Sequence, residues 1–220
     1  MRIIKRLGDL TLASILLLAT APLILLVAIV VFAAMGRPIL FRQTRLGRGM
    51  KPFRLLKFRT MRVTGVESPG TDETRLTRIG RWLRASSLDE LPELWNVLKG
   101  EMSFVGPRPL LVRYQDRYSP DQARRHDVVP GLTGWAQVNG RNAISWEQRF
   151  RYDLWYVDNQ SLWLDVRILC LTVWRLFDPR HISAAGSTPM PEFMGNPSEE
   201  SADSTSPRPD EGEQVDQRKW

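Results

Sequence analysis

The chain has 220 residues, enough for one domain with appendages. Its formal net charge is +7 and its pI about 10.1, which points to polyanionic partners: nucleic acid, an anionic membrane surface or phosphorylated substrates. Cys170 is the only cysteine and His126 and His181 the only histidines, so an internal disulfide and a thiolate zinc site from this chain alone are excluded. Chemistry must rest on carboxylates, arginines and a hard metal. The charge is also uneven. From Ser183 onward eight acids face three bases, a net −5, which leaves +12 for residues 1–182.

Leu10–Met35 carries no charged residue. As a helix this stretch would be about 39 Å long, enough for a bilayer core of about 30 Å. It is too long for the apolar region of a signal peptide. Pro22 lies near its middle, where it removes a backbone hydrogen bond. Arg2, Lys5 and Arg6 precede it, and Arg37, Arg42, Arg45 and Arg48 follow. Cytoplasmic flanks attract Lys and Arg, so both ends favour the cytoplasmic side. Two arrangements remain open on residue chemistry: a kinked spanning helix, or a re-entrant helix broken at Pro22.

Pro38–Met61 predicts a basic β-hairpin turning at "GRGMKP". Lys57 and Arg59 share one face of its second strand, as anion-binding candidates or as ordinary edge charges. Val63–Thr74 reads as a loop. "TRLTRIGRWLR" then predicts a basic amphipathic helix with Leu76, Ile79 and Leu83 on one side, fit for an anionic interface and weakened by Gly80.

"SSLDELPELWNVLKGEMSFVGPRP" sets Asp89 and Glu90 side by side. A helix is expected from Pro92 to about Lys99, stopped by Gly100. Alternatively Ser87 caps the helix and Glu90 closes a capping box. Neighbouring acids point different ways, so one can attack phosphorus while the other binds metal or handles a proton. Arg84, Arg108 and Arg141 supply guanidinium forks suited to phosphate. "VVPGLTGWAQVNGRN" offers Gln137 and Asn139 on a glycine-dense loop, with no Walker or dinucleotide spacing. His126 is expected to be structural. "SLWLDVRILCLTVWRLF" predicts a helix too short and too charged to span, placed at the interface or in the core, within an aromatic-rich stretch. Beyond His181 the apolar pattern stops, and residues 183–220 are expected to be a disordered acidic tail outside the site.

"KFRTM", the Asp89–Glu90 stretch, "PGLTGWAQVNGRN" and "YDLWYVDNQSLWLD" together resemble the bacterial sugar transferase family, the monotopic phosphoglycosyl transferases, in a short form. The resemblance covers about Arg2–Phe177. It implies transfer of a sugar-1-phosphate from a UDP-sugar to undecaprenyl phosphate, with release of UMP and use of Mg²⁺ (or Mn²⁺). It implies Asp89 as nucleophile, forming a covalent phosphosugar intermediate, with Glu90 assisting at the metal and Arg84 holding phosphate. Lys57, Arg59, Arg108, Gln137, Asn139 and Arg141 complete the expected substrate-binding set, with Asp89 and Glu90 as metal ligands. The implied fold is α+β and mostly helical. A re-entrant membrane helix broken at Pro22 occupies residues 1–36, and a basic hairpin and amphipathic interfacial helices build a catalytic domain over residues 37–182. The family's break falls at a Ser-Pro pair; Ala21-Pro22 stands here, and Thr20 is the nearest hydroxyl. The implied location is the cytoplasmic face of the bacterial inner membrane, among anionic lipids, with downstream glycosyltransferases as users of the product. Competing readings are a basic membrane-tethered nucleic-acid binder and a non-catalytic adaptor; neither needs an acid pair ringed by arginines.

Overall fold

The computed structural model of the chain describes residues 2–62, 75–140, 144–176 and 192–195. Arg141, His181, Phe177 and the whole of the expected loop at 63–74 lie outside the described residues. Helix α1 runs from Arg2 to Met35 with Pro22 inside it. Helical structure therefore continues through the proline. Thr20 Oγ1 bonds the Leu16 carbonyl at 2.6 Å, not the Leu18 carbonyl that Pro22 leaves without its helical donor.

The helix is long and apolar enough to cross a membrane, and one face of it is left bare: Ile4, Leu7, Ile15, Leu18, Leu25, Leu26, Ile29 and Phe32 are exposed. The other face packs on the domain along its length. Ala13 joins one core with Leu55, Leu94, Val97, Met102, Tyr156 and Ile168. Val27 and Val31 join a second with Phe58 and Leu83. Both ends are pinned. Near the start, Lys5 Nζ bonds the Val105 carbonyl at 3.1 Å and Asp165 at 2.6 Å. Arg6 donates to the Val97 and Leu98 carbonyls at 2.6 and 2.7 Å. At the far end, Arg59 donates to the carbonyls of Met35, Gly36 and Arg37.

The hairpin forms as expected. Strands β1 (Leu40–Leu46) and β2 (Pro52–Phe58) pair antiparallel, from Leu40 opposite Phe58 to Leu46 opposite Pro52. Helix α2 (Arg78–Ala85) is shorter than the sequence pattern predicts. Thr77 caps it by accepting from the Gly80 amide at 2.9 Å, and Leu76 forms a bridge to Met61 instead. Gly80 has a steric reason: a Cβ there would stand 1.9 Å from the Thr60 carbonyl oxygen. The residue that weakens the helix by propensity is what lets α2 lie against the strand exit.

Helix α3 (Glu93–Lys99) follows Pro92 and ends at Gly100, whose φ of 82° suits glycine. Arg6 of α1 covers the carbonyls that this end leaves open. Strands β3 (Ser103–Val105) and β4 (Gly131–Thr133) pair in parallel. Short helices α4 (Pro120–Ala123) and α5 (Trp135–Asn139) precede α6 (Trp146–Asp158) and α7 (Leu162–Leu176). Helix α7 buries Leu164 and Ile168 and exposes Trp163 and Trp174, as an interfacial or core helix should. Its Asp165 is buried and bonded by Lys5 and by the Tyr156 hydroxyl, both at 2.6 Å. One part of the expected tail is described, Glu192–Gly195, and Phe193 is only 3% exposed within an aromatic cluster.

Replacing Gly80 by Ala gains about 1 kcal/mol of helix propensity but forces a backbone clash of the overpacking kind, which costs about 1–3 kcal/mol or more. Gly80→Ala is expected to lower the thermal midpoint of the detergent-solubilised protein; an unchanged or raised midpoint contradicts this packing.

Candidate active site

The acids sit on a 3-10 turn, Leu88–Glu90, between α2 and α3. Ser87 precedes it in the left-handed region (φ 57°) and makes no side-chain cap bond, so the capping-box alternative is not realised. The left-handed residue ends α2 and redirects the chain, while Pro92 starts α3 three residues beyond Asp89. Leu88 and Leu91, on either side of the acids, pack against the apolar cluster that Val27 and Val31 of α1 form with Phe58 and Leu83.

Glu90 is clamped between two cations. Lys57 from β2 reaches its Oε1 at 2.6 Å, and Arg108 from the loop after β3 reaches the same oxygen at 2.7 Å. Burial favours the neutral acid here, but Arg108 and Lys57 outweigh it and hold Glu90 well below the usual carboxylate range. The partner effect is reciprocal: Glu90 raises Arg108 further above its ordinary value.

Asp89 has a different environment. It is buried, and burial together with the Glu90 charge raises its pKa to about 6, against the opposing charges of Lys57, Arg84 and Arg108. Arg84 sits exposed on the last turn of α2, with its Nε on Thr60 Oγ1 at 3.1 Å. A third acid was not foreseen. Glu93 is 2% exposed, and its Oε1 lies 3.1 Å from Lys57 Nζ. Burial and then Glu90 push it up to about 7. Its spacing of three from Glu90 and four from Asp89 was the available signal, because such residues share a side of a helical turn.

The other candidates divide. Lys57 and Arg108 join the carboxylates. The guanidinium of Arg59 is committed to the carbonyls at the end of α1, which makes it a helix cap. Asn139 is exposed and bonds the Trp135 carbonyl of its own helix at 2.7 Å, so it is not brought to the carboxylates. Gln137 is different: both its amide nitrogen and its amide oxygen are buried without a hydrogen-bond partner. A buried amide in that state is unusual and suits a ligand-contacting group. Arg141 lies outside the described residues. His126 is structural, as expected: it is buried, holds the Gly47 carbonyl at 3.1 Å through Nδ1, and is lowered to about 4 by burial and Arg125.

Among the described residues no group of three or more His, Cys, Asp or Glu side chains forms a ready metal cage. The donor set still fits Mg²⁺, which is commonly held by one or two carboxylates and completed by substrate phosphates and water. Asp89 and Glu90 offer hard oxygens, and neither cation bond to Glu90 uses Oε2.

The bacterial sugar transferase family matches residues 1–179. A sugar transferase of Bacillus subtilis, EpsL, whose own activity is uncharacterised, is 52% identical over 88% of this chain and 97% of its own length. A UDP-glucose:undecaprenyl-phosphate glucose-1-phosphate transferase of Caulobacter vibrioides is 45% identical over 77% of this chain and 68% of its own length. The enzyme of the same name from Xanthomonas campestris is 44% identical over 78% of this chain, and the match spans only 38% of that longer protein. With the family matched from its first residue through the end of α7, the chain belongs to the bacterial sugar transferases.

Proposed function

We propose that the chain transfers a sugar-1-phosphate from a UDP-sugar to undecaprenyl phosphate through a covalent intermediate on Asp89. The observation that carries this reading is the unequal treatment of adjacent acids. Glu90 is held ionised by two cations, while Asp89 is buried beside it without a matching clamp. A carboxylate that is desolvated and only loosely paired is a better nucleophile than one locked in salt bridges.

In the first half-reaction an Asp89 oxygen attacks the sugar-bearing phosphorus. The new O–P bond forms as the bond to UMP breaks, and UMP leaves with the electron pair. In the second, a phosphate oxygen of undecaprenyl phosphate attacks that phosphorus and Asp89 departs as carboxylate. The product is the lipid diphosphate sugar. Arg84 and Arg108 are aimed to counter charge gathering on the phosphoryl oxygens. Asp89 and Glu90 are the residues that would hold Mg²⁺, whose chemistry is neutralisation of the diphosphate and its leaving group. Gln137 supplies an amide with both ends unsatisfied, ready to bond the donor.

The contacts of α1 support a re-entrant arrangement on one side of the bilayer. A straight 34-residue helix would separate its ends by about 51 Å. Yet Lys5 and Arg6 at one end and the Met35–Arg37 carbonyls at the other are bonded to the same domain. A spanning helix would carry one of those ends to the opposite face. The flanking bases favour the cytoplasmic side. Leu88 and Leu91 beside the acids join the same apolar cluster as Val27 and Val31 of α1, and in this arrangement the site lies close to the lipid, which suits one soluble and one lipid substrate.

Asp89→Asn is expected to lower UMP release by at least about a thousandfold with little change in folding; a purified variant of wild-type activity refutes the nucleophile. Radiolabelled UDP-sugar with Mg²⁺ and no lipid acceptor is expected to leave label on wild-type protein and none on Asp89→Asn. Because Asp89 must be ionised to attack and its pKa is raised to about 6, kcat/KM is expected to fall as pH drops through about 6. A profile flat down to pH 4.5 contradicts that assignment. Single cysteines placed at Ile3 and Arg37 in a Cys170→Ser background are expected to react with an impermeant reagent from the cytoplasmic side alone; labelling from opposite sides establishes a spanning helix.

A further inference from the structure

The family match ends at residue 179, and a short segment beyond it is nevertheless built into the domain. Phe193 is 3% exposed and fills a slot between Tyr114, Tyr118, Trp146 and Phe150, with ring centroids 5.8, 5.9, 5.4 and 5.0 Å away. Beside it Glu192 bridges two arginines: Oε1 to Arg117 at 2.9 Å and Oε2 to Arg113 at 3.0 Å. Arg117 also donates to the Phe193 carbonyl at 2.5 Å. The ion pairs are partly exposed and serve mainly to orient; the buried ring is the anchor.

The slot wall leads to the acid pair in a few contacts. Phe150, 5.0 Å from Phe193, lies under the Arg125 guanidinium at 5.8 Å. Arg125 is buried, pairs with Asp153 at 2.7 Å, and donates to the Arg108 carbonyl at 2.8 Å. Arg108 then reaches Glu90 at 2.7 Å. A second wall residue, Tyr118, packs on His126 at 5.4 Å, and His126 holds the hairpin turn through Gly47.

We infer that Glu192–Phe193 is a clasp: the chain's own C-terminal segment docks as an acidic–aromatic pair into the Tyr114–Phe150 slot and thereby positions Arg108 at the carboxylates. Phe193 is a positioning residue, since it acts through Phe150 and Arg125. Filling the slot keeps Phe150 against Arg125, and Arg125 keeps the Gly106–Pro109 loop at the depth where Arg108 spans to Glu90. The kinetic consequence rests on the transferase reading; the physical coupling does not.

The test uses full-length protein in detergent with two readouts. Phe193→Ala is expected to speed hydrogen exchange in residues 107–117 by about tenfold or more, with exchange in α3 unchanged. It is also expected to raise the KM for UDP-sugar about three- to tenfold with a smaller change in kcat, because Arg108 faces the donor phosphates. Phe193→Leu is expected to recover most of both effects. Glu192→Lys, at an exposed position, is expected to move both readouts the same way, and it decides the matter if Phe193→Ala fails to fold. Unchanged exchange at 107–117 overturns the clasp. Faster exchange with unchanged KM overturns the positioning of Arg108, and faster exchange with a lowered KM shows that the segment competes with substrate instead. If wild-type protein releases no UMP from any UDP-sugar, the transferase reading fails, and the exchange readout alone then decides whether the clasp couples to the Arg108 loop.

Discussion

The shared hold of Lys57 and Arg108 on one oxygen of Glu90 is the contact on which the site depends. It joins three parts of the chain: strand β2, the loop after β3, and the turn before α3. A carboxylate taken out of water without partners reverts to the neutral acid; with two cations within 2.7 Å it stays charged. Because both cations converge on Glu90, neither closes a comparable bond to Asp89. The raised Asp89 follows from how its neighbour is satisfied, so the two acids take different roles without differing in kind.

The same economy of cations organises the attachment of α1. Its inner face packs into the two apolar cores, and charged side chains fix its ends. Arg6 fits the open carbonyl end of α3, Lys5 meets the buried Asp165, and Arg59 closes the carbonyl end of α1 itself. Each is a charge-assisted bond to groups that would otherwise be stranded. Lys57 and Arg59 are two residues apart on one strand exit, one facing the carboxylates and one holding the apolar helix. The spacing between the carboxylates and the C-terminal end of α1 is thus set by the rise of a single strand.

Much of this was legible in the sequence because the signals were local. Pro92 and Gly100 mark α3, the glycine turn marks the hairpin, and the adjacent acids among arginines mark the site. What escaped reading depended on packing. Arg59 and Lys57 have the same charge and share a face in the pattern, and only the tertiary fold decides which one finds carbonyls and which finds carboxylates. Asn139 looked like a ligand residue but turns back on its own helix. Glu93 drew no attention in the sequence, and its burial beside Lys57 is what makes it part of the cluster. Gly80 scored as a weak helix former, whereas its value lies in the approach of Thr60. Phe193 sits in a stretch whose composition cannot form a core, and composition does not register one aromatic residue with a slot waiting for it.

Clustering three acids in a small volume has a cost that the fold distributes rather than removes. At 4 Å two unit charges interact by about 4 kcal/mol at an effective dielectric of 20, so three ionised carboxylates around one lysine would be strained. The arrangement responds by unequal protonation: Glu90 is held charged, while Asp89 and Glu93 are raised toward neutrality. A diphosphate donor adds negative charge to that balance and by itself makes ionising Asp89 harder. The compensating charge must therefore come from groups still able to turn toward the substrate. Arg84, exposed at the end of α2, fits that need, and Arg108 adds to it only through the nitrogens that do not hold Glu90. Cations already locked in backbone bonds, such as Arg59, cannot answer it. Part of the basic excess thus fixes the apolar helix to the fold, and part lies near the acids, where it can meet the charge of a phosphorylated substrate.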